Sequence, residues 1–243
     1  MCITAHPDDE AGAFGGALRL YADRGVETCV VCLTPGQAAT HRGGAKDDNE
    51  LAAMRRKEFA ASCAILRVNR GIVLDYPDGH LHRQDLYQVV RDLVLQIRGF
   101  GPQVLLTFGP EGGVTAHNDH SMASLFATLA FHWAGRENRF PEQFGNGIQA
   151  HRGQKLYYAT FNFTLPDRPP VVLPSITSTL EIGEKLWETK LAAFKAHTSQ
   201  APLWPLLEKR LRQASMQERF HLAASSRLGP AETETDLFAG VVE

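Results

Sequence analysis

Short runs of β-branched and aliphatic residues alternate along the chain with longer stretches in which apolar positions recur every three or four residues. The runs fall at 1–4, 28–34, 71–74, 104–108 and 155–161, and the periodic stretches at about 10–23, 49–66, 84–98 and 119–133. The first pattern predicts buried strands and the second amphipathic helices. Strand-helix-strand repetition builds a mostly parallel sheet covered by helices on both faces. With right-handed crossovers this gives an α/β fold, a Rossmann-like three-layer sandwich in a single domain. A sixth apolar run, 170–173, is rich in proline and reads as an edge or a connection. Two further helical patterns, 184–197 and 206–222, make the part from 184 to 243 a helical extension packed on that domain, and the stretch after Arg227 is weakly patterned.

In an open parallel sheet, ligands bind beyond the carboxyl ends of the strands. Thr4 is followed by AHPDDE, Thr34 by PGQ, Leu74 by DYPDGH and Phe108 by GPEGGVTAHNDH. All four polar clusters therefore belong on one rim.

AHPDDE places an imidazole and two adjacent carboxylates on a strand-to-helix turn, where neighbouring side chains diverge. His6 and Asp9 suit a borderline-soft metal ion, which accepts nitrogen and oxygen donors together. Asp8 is then left beside the open position, where a carboxylate can take a proton from water. The plainer reading is helix capping, with acidic residues in a first turn; His6 counts against it. HNDH sets His117 and His120 on one face at the start of an apolar helix. With His120 as third ligand, one position stays open for water, the pattern of a catalytic site. Asp119 offers His117 a carboxylate that would orient the ring and favour its protonated form, fit to assist an oxyanion or a leaving amine. The plain alternative for this motif is a surface turn with two solvated histidines.

Composition narrows the field. The 25 Lys and Arg against 27 Asp and Glu leave a net charge of −2 with no long single-sign block, so neither nucleic acid nor a membrane surface is an expected partner. No apolar run spans a bilayer, and the N-terminus lacks the segments of a signal peptide, which predicts a cytoplasmic protein. Cys2, Cys29, Cys32 and Cys63 read as buried hydrophobes of a reducing compartment. Cys29 and Cys32 have CxxC spacing, but they lie in one strand and no second pair completes a zinc site. The chain opens almost directly on its first motif, as though residues of the first strand were missing before Met1.

Taken together the motifs resemble those of the PIG-L/LmbE family of zinc-dependent N-acetylglucosaminyl deacetylases, which includes deacetylases of mycothiol and bacillithiol synthesis. AHPDDE matches the family's first metal motif and HNDH its second, usually HPDH. LTPG, MRRKEFAASCAIL with Arg55 and Glu58, DYPDG around Asp78, TFGPEGG and KLAAFKAHTSQ extend the match along most of the chain. The resemblance implies Zn2+, or another divalent transition metal, on His6, Asp9 and His120, with Asp8 as general base. It implies His117 assisting the tetrahedral intermediate, Arg55 and Asp78 contacting the sugar, a small amino-sugar substrate, and a homo-oligomer, trimer or hexamer. Asn118 replaces the usual proline, which alters the geometry slightly and keeps metal binding. Segment 131–152 looks like a variable loop that shapes substrate choice.

Other residues have plainer readings. Arg55 suits a solvated or salt-bridged helix face, and Asp78 before Gly79 is ordinary turn chemistry. His80 and His82 read as solvated surface, and Lys190, His197 and Gln200 as exposed polar positions on packed helices, the alternative being that this segment reaches the rim from the C-terminal helix. The expected activity is removal of an N-acetyl or N-acyl group from an amino-sugar conjugate. The alternatives are an amidase of thiol-sugar conjugates and a non-catalytic, metal-stabilised sugar-binding module. A dinucleotide-dependent dehydrogenase is a remote third option, because AHPDDE stands where G-x-G-x-x-G is required.

Overall fold

In the computed structural model, which describes residues 1–165, 170–213, 216–229 and 232–242, a seven-stranded sheet separates two layers of helices. The first half alternates strand and helix: β1 (Cys2–Thr4), α1 (Asp9–Asp23), β2 (Cys29–Cys32), α2 (Asp48–Leu66), β3 (Arg70–Val73), α3 (Leu86–Phe100), β4 (Val104–Phe108), α4 (Asn118–Ala134) and β5 (Lys155–Thr160). These follow the predicted elements closely, because the apolar period is strong. Asp47 and Asp85 cap α2 and α3 by accepting the N–H groups of Glu50 and Gln88, and Gly101 ends α3 in the left-handed conformation.

The remainder runs β6 (Ser178–Glu181), α5 (Gly183–Lys195), α6 (Trp204–Gln213) and β7 (Gln217–Ser225). The strand order is β3-β2-β1-β4-β5-β7-β6; β1 to β5 are parallel, while β7 lies antiparallel to both β5 and β6. The expected helix 206–222 is thus a helix that ends at Gln213, a pair of residues (214–215) outside those described, and then a strand. The reason is burial at alternate positions: Glu218 and Phe220 point inward, and the period changes from 3.6 to 2. The tail is accordingly no helical extension, since it completes the sheet. Residues 170–173 form a connection.

Side chains from the two faces of each strand feed two cores. Phe14, Phe59, Phe108, Tyr157, Phe194 and Phe220 pack under α1, α2 and α5, and Leu93, Ile97, Leu105, Phe126 and Leu156 under α3 and α4. Cys29 belongs to one core and Cys32 to the other, so the CxxC spacing forms no pair, and all four cysteines are free and buried. No helix among the described residues is long and apolar enough to cross a membrane.

Candidate active site

β1 and β4 are neighbours, and the chain leaves them for opposite faces of the sheet, α1 lying in one helix layer and α4 in the other. This is the switch point of the strand order, where a crevice opens at the carboxyl ends of the strands. His6, Asp8 and Asp9 follow β1, and His117, Asp119 and His120 follow β4. Both motifs line one cavity of about 450 Å³, together with Arg55 and Asp78.

Asp9 stands between the two motifs. Its Oδ2 lies 3.5 Å from His6 Nδ1, and its Oδ1 lies 3.1 Å from His120 Nε2. Two ligands of one tetrahedral ion are separated by about 3.4 Å when each bond is about 2.1 Å. His6, His117 and His120 also offer nitrogens within 4.8 Å of one another. Each of the outer imidazoles is held from behind: His120 Nδ1 donates to the Gly112 carbonyl at 3.3 Å, and its ring stacks on Phe108 at 4.0 Å. His6 Nε2 faces Asp78 Oδ1 at 3.1 Å and Asp119 Oδ2 at 3.4 Å. Such backing fixes tautomer and ring orientation and leaves the opposite nitrogen free to ligate. Three carboxylates crowd one buried imidazole, an excess of negative charge that a cation neutralises, so the donor set fits a divalent metal. Burial alone would depress the His6 pKa, yet the hydrogen bonds it donates to Asp119, Asp78 and Asp9 hold it well above its usual value.

Helix capping does not account for the carboxylates. Asp8 occupies the N-cap of α1 without a capping side-chain hydrogen bond, and Asp9 Oδ2 turns back to accept the N–H groups of Ala5 and His6 at 3.1 and 2.8 Å. Asp8 sits at φ 118°, a conformation that costs a non-glycine residue on the order of 1–3 kcal/mol. Its surroundings hold it there. Arg55, buried in α2, donates from Nη2 to Asp8 Oδ2 at 2.9 Å and to the Pro7 carbonyl, and from Nη1 to the Gly36 carbonyl at 3.0 Å. Glu10 Oε2 accepts the Asp8 N–H at 2.9 Å. Burial lifts the Asp8 carboxyl to about 6 against the pull of Arg55, with Asp9 adding to the rise. Arg55 is therefore a buried ion-pair partner and no solvated face residue.

Asp119 does not pair with His117 through its carboxylate. That group is fully buried, facing His6 and accepting the N–H groups of Gly79 and Leu81 at 2.7 and 3.3 Å. The sequence spacing suggested a local pair; the turn at α4 instead sends the carboxylate inward. The Asp119 backbone N–H donates to His117 Nδ1 at 3.2 Å, so a neutral His117 carries its proton on Nε2. Burial, His120 and His6 push His117 down to about 4, the reverse of the expected protonated ring. Asn118 takes the first helical position of α4, where proline is favoured but not required.

Asp78 is buried, and its Oδ2 accepts the Ala38 N–H at 2.8 Å. His80 and His82 are exposed, as expected. Lys190, His197 and Gln200, expected at exposed positions, are buried polar groups. His197 Nε2 lies 2.7 Å from Glu10 Oε1, which also accepts Ser62 Oγ; Gln200 donates to the His41 carbonyl at 2.9 Å. Glu58 accepts Thr198 Oγ1 and the Ser199 N–H and Oγ, tying α2 to the segment after α5. Glu10 and His197 are the supporting residues that spacing alone does not reveal; the final acid of AHPDDE was the available signal. Segment 131–152 supplies no lining residue to the cavity among the described residues. Arg98 holds it elsewhere, donating to the carbonyls of Ala134, Arg136, Arg139 and Phe140.

Residues 1–131 match the family described as PIG-L, GlcNAc-PI de-N-acetylase. The chain is 30% identical over 177 residues to a mycothiol S-conjugate amidase of Streptomyces coelicolor, covering 65% of this chain and 59% of that protein. It is 28% identical over 279 residues to a 1D-myo-inositol 2-acetamido-2-deoxy-alpha-D-glucopyranoside deacetylase of Actinosynnema mirum, covering 99% and 96%. Its fold superposes on the N,N'-diacetylchitobiose deacetylase of Pyrococcus horikoshii with a TM-score of 0.75 at 27% identity, covering 91% of this chain and 82% of that one. With a family match across more than half its length and both motifs meeting at the switch point, the chain belongs to the PIG-L family of de-N-acetylases.

Proposed function

We propose that this protein is a metal-dependent amidohydrolase that removes the N-acetyl or another N-acyl group from an N-acetylglucosamine-type conjugate. The observation that carries the reading is the meeting of His6 and His120 on Asp9, with Asp8 beside them and bonded to neither imidazole. His6, Asp9 and His120 are the ligands assigned to the ion, with His117 close by, and Zn2+ is the ion that best suits two imidazoles and a carboxylate. When bound there, a divalent cation acidifies water and polarises the acyl oxygen.

The side chains then divide the work. Asp8 Oδ2 is engaged by Arg55, so Oδ1 is the atom assigned to take the proton of the attacking water. The neutral His117 donates from Nε2 to the developing oxyanion, a role that needs a hydrogen-bond donor and no positive charge. Breaking the C–N bond leaves an amine, to which Asp8 returns the proton, and the products are a carboxylate and a free amine. Asp119 and Asp78 position His6, and Asp78 and Arg55, which line the cavity, are the residues assigned to the sugar. Four buried free thiols suit a reducing cytoplasm. The assembly inferred from the resemblance is a homo-oligomer, a trimer or hexamer, which sedimentation measures.

A second reading is cleavage of a larger amide in a thiol-sugar conjugate, favoured by the likeness to the Streptomyces amidase. The test is product analysis with metal-loaded protein on an N-acetylglucosaminide and on a thiol conjugate. Acetate release supports the deacetylase, amine release from the conjugate alone supports the amidase, and no turnover of either contradicts both.

A further inference from the structure

The cavity that holds the candidate active site is lined as well by residues of α5, α6 and the end of β5, and its lining is of two kinds. Beside His6, Asp8, Asp9 and Arg55, the same cavity is lined by the apolar side chains Phe161, Phe163, Phe194, Leu203, Leu206 and Leu207. Phe161 and Phe163 meet edge to face, with ring centroids 5.6 Å apart. Leu206 is 41% exposed and borders the same space. Of the charged side chains that line the cavity here, Lys190 and Glu218 are turned to one another. Lys190 donates to Glu218, which also accepts the N–H groups of Gly16 and Ala17 at 2.7 Å each, and Arg219 donates to Gln217.

A bare amino sugar has hydroxyl groups around its ring, and against the side chains of Phe161, Phe163, Leu206 and Leu207 they would lose water without gaining partners. An apolar group loses nothing there and gains about 0.8 kcal/mol per buried methylene. We propose that the substrate carries an extended apolar substituent, aryl or alkyl, which this wall seats while the amide lies at the metal ligands. The inference rests on the amidohydrolase reading and narrows its substrate class. Because the wall and the metal ligands line one cavity, a part of the same substrate is the occupant, either its acyl chain or its aglycone.

Two substrate series separate those sources: N-acyl glucosamines from acetyl to octanoyl, and N-acetylglucosaminides from methyl to octyl and phenyl. The expected result is that kcat/KM rises about fourfold per methylene over the first few members of one series. Phe163→Ala and Leu206→Asp should each bring the ratio of longest to shortest substrate within about twofold. Leu206 is exposed enough to accept the change without unfolding the chain. Flat or falling values in both series, with the methyl N-acetylglucosaminide still hydrolysed, overturn the inference and leave the hydrolase reading standing. If no member is hydrolysed, the hydrolase reading fails, and calorimetry with the amine and carboxylate products decides the wall. Tighter binding of octanoate than acetate, or of octyl than methyl glucosaminide, supports it; equal binding in both pairs overturns it.

Discussion

Asp8 and Asp9 are adjacent carboxylates with opposite electrostatic surroundings. Burial would lift Asp9, but His120 and His6 hold it well below the usual carboxylate range, while Asp8 is pushed up to about 6. A ligand has to stay ionised and a base has to exchange protons near neutrality, so the division of labour is set by what each touches. A base works only as the carboxylate, and kcat/KM should therefore fall as pH drops through about 6. A bound cation favours the charged form and moves that limb lower, never higher. Arg55 opposes protonation of Asp8, so in Arg55→Gln the acid limb should shift to higher pH. A limb that stays fixed or moves down in that variant contradicts the role given to Asp8. The residue types and spacing announced this site, but the partners did not follow from spacing. Asp119 lies two residues from His117, yet its carboxylate serves His6, 113 positions away. Long-range pairing of that sort depends on the fold, which one-dimensional patterns do not carry.

At the scale of elements, β1 to β5 and α1 to α5 could be read from apolar period, because burial on one or two faces imposes it. The failure came at β7, where Glu218, Arg219, Leu222, Ala223 and Ala224 are residues at home in helices and follow an amphipathic helix directly. There pairing with β5 and β6 overrides propensity. The turn before α4 illustrates how an element's start is placed. Gly112 has φ 83°, and a Cβ there would lie 2.5 Å from the His117 carbonyl oxygen and 2.8 Å from its nitrogen. Both are backbone atoms, so α4 itself would have to move and carry His117 and His120 with it. Gly112→Ala should cost at least about 1–2 kcal/mol from the left-handed conformation alone and weaken metal affinity together with stability. Chemical denaturation and metal titration check this; unchanged affinity in the variant would show that α4 is not positioned by that turn.

For the molecule as a whole, the sheet joins regions that the sequence presents as separate. Glu218 of β7 contacts the middle of α1 and pairs with Lys190 of α5, which makes the tail part of the layer behind the site. Glu218→Ala leaves Lys190 buried without its partner and should cost about 3–5 kcal/mol in unfolding free energy. A loss below about 1 kcal/mol would mean that the tail is peripheral. The central claim is that the turn after β1 and the start of α4, more than a hundred residues apart, hold one ion while Asp8 stays free to act on water. Metal content and turnover measured together in the wild type, Asp8→Asn and His120→Ala test it most directly. The expected result is about one equivalent of metal in the wild type and in Asp8→Asn, with kcat lowered about 10²–10⁴-fold in the latter, and little metal in His120→Ala. Full metal and full turnover in either variant would contradict the account.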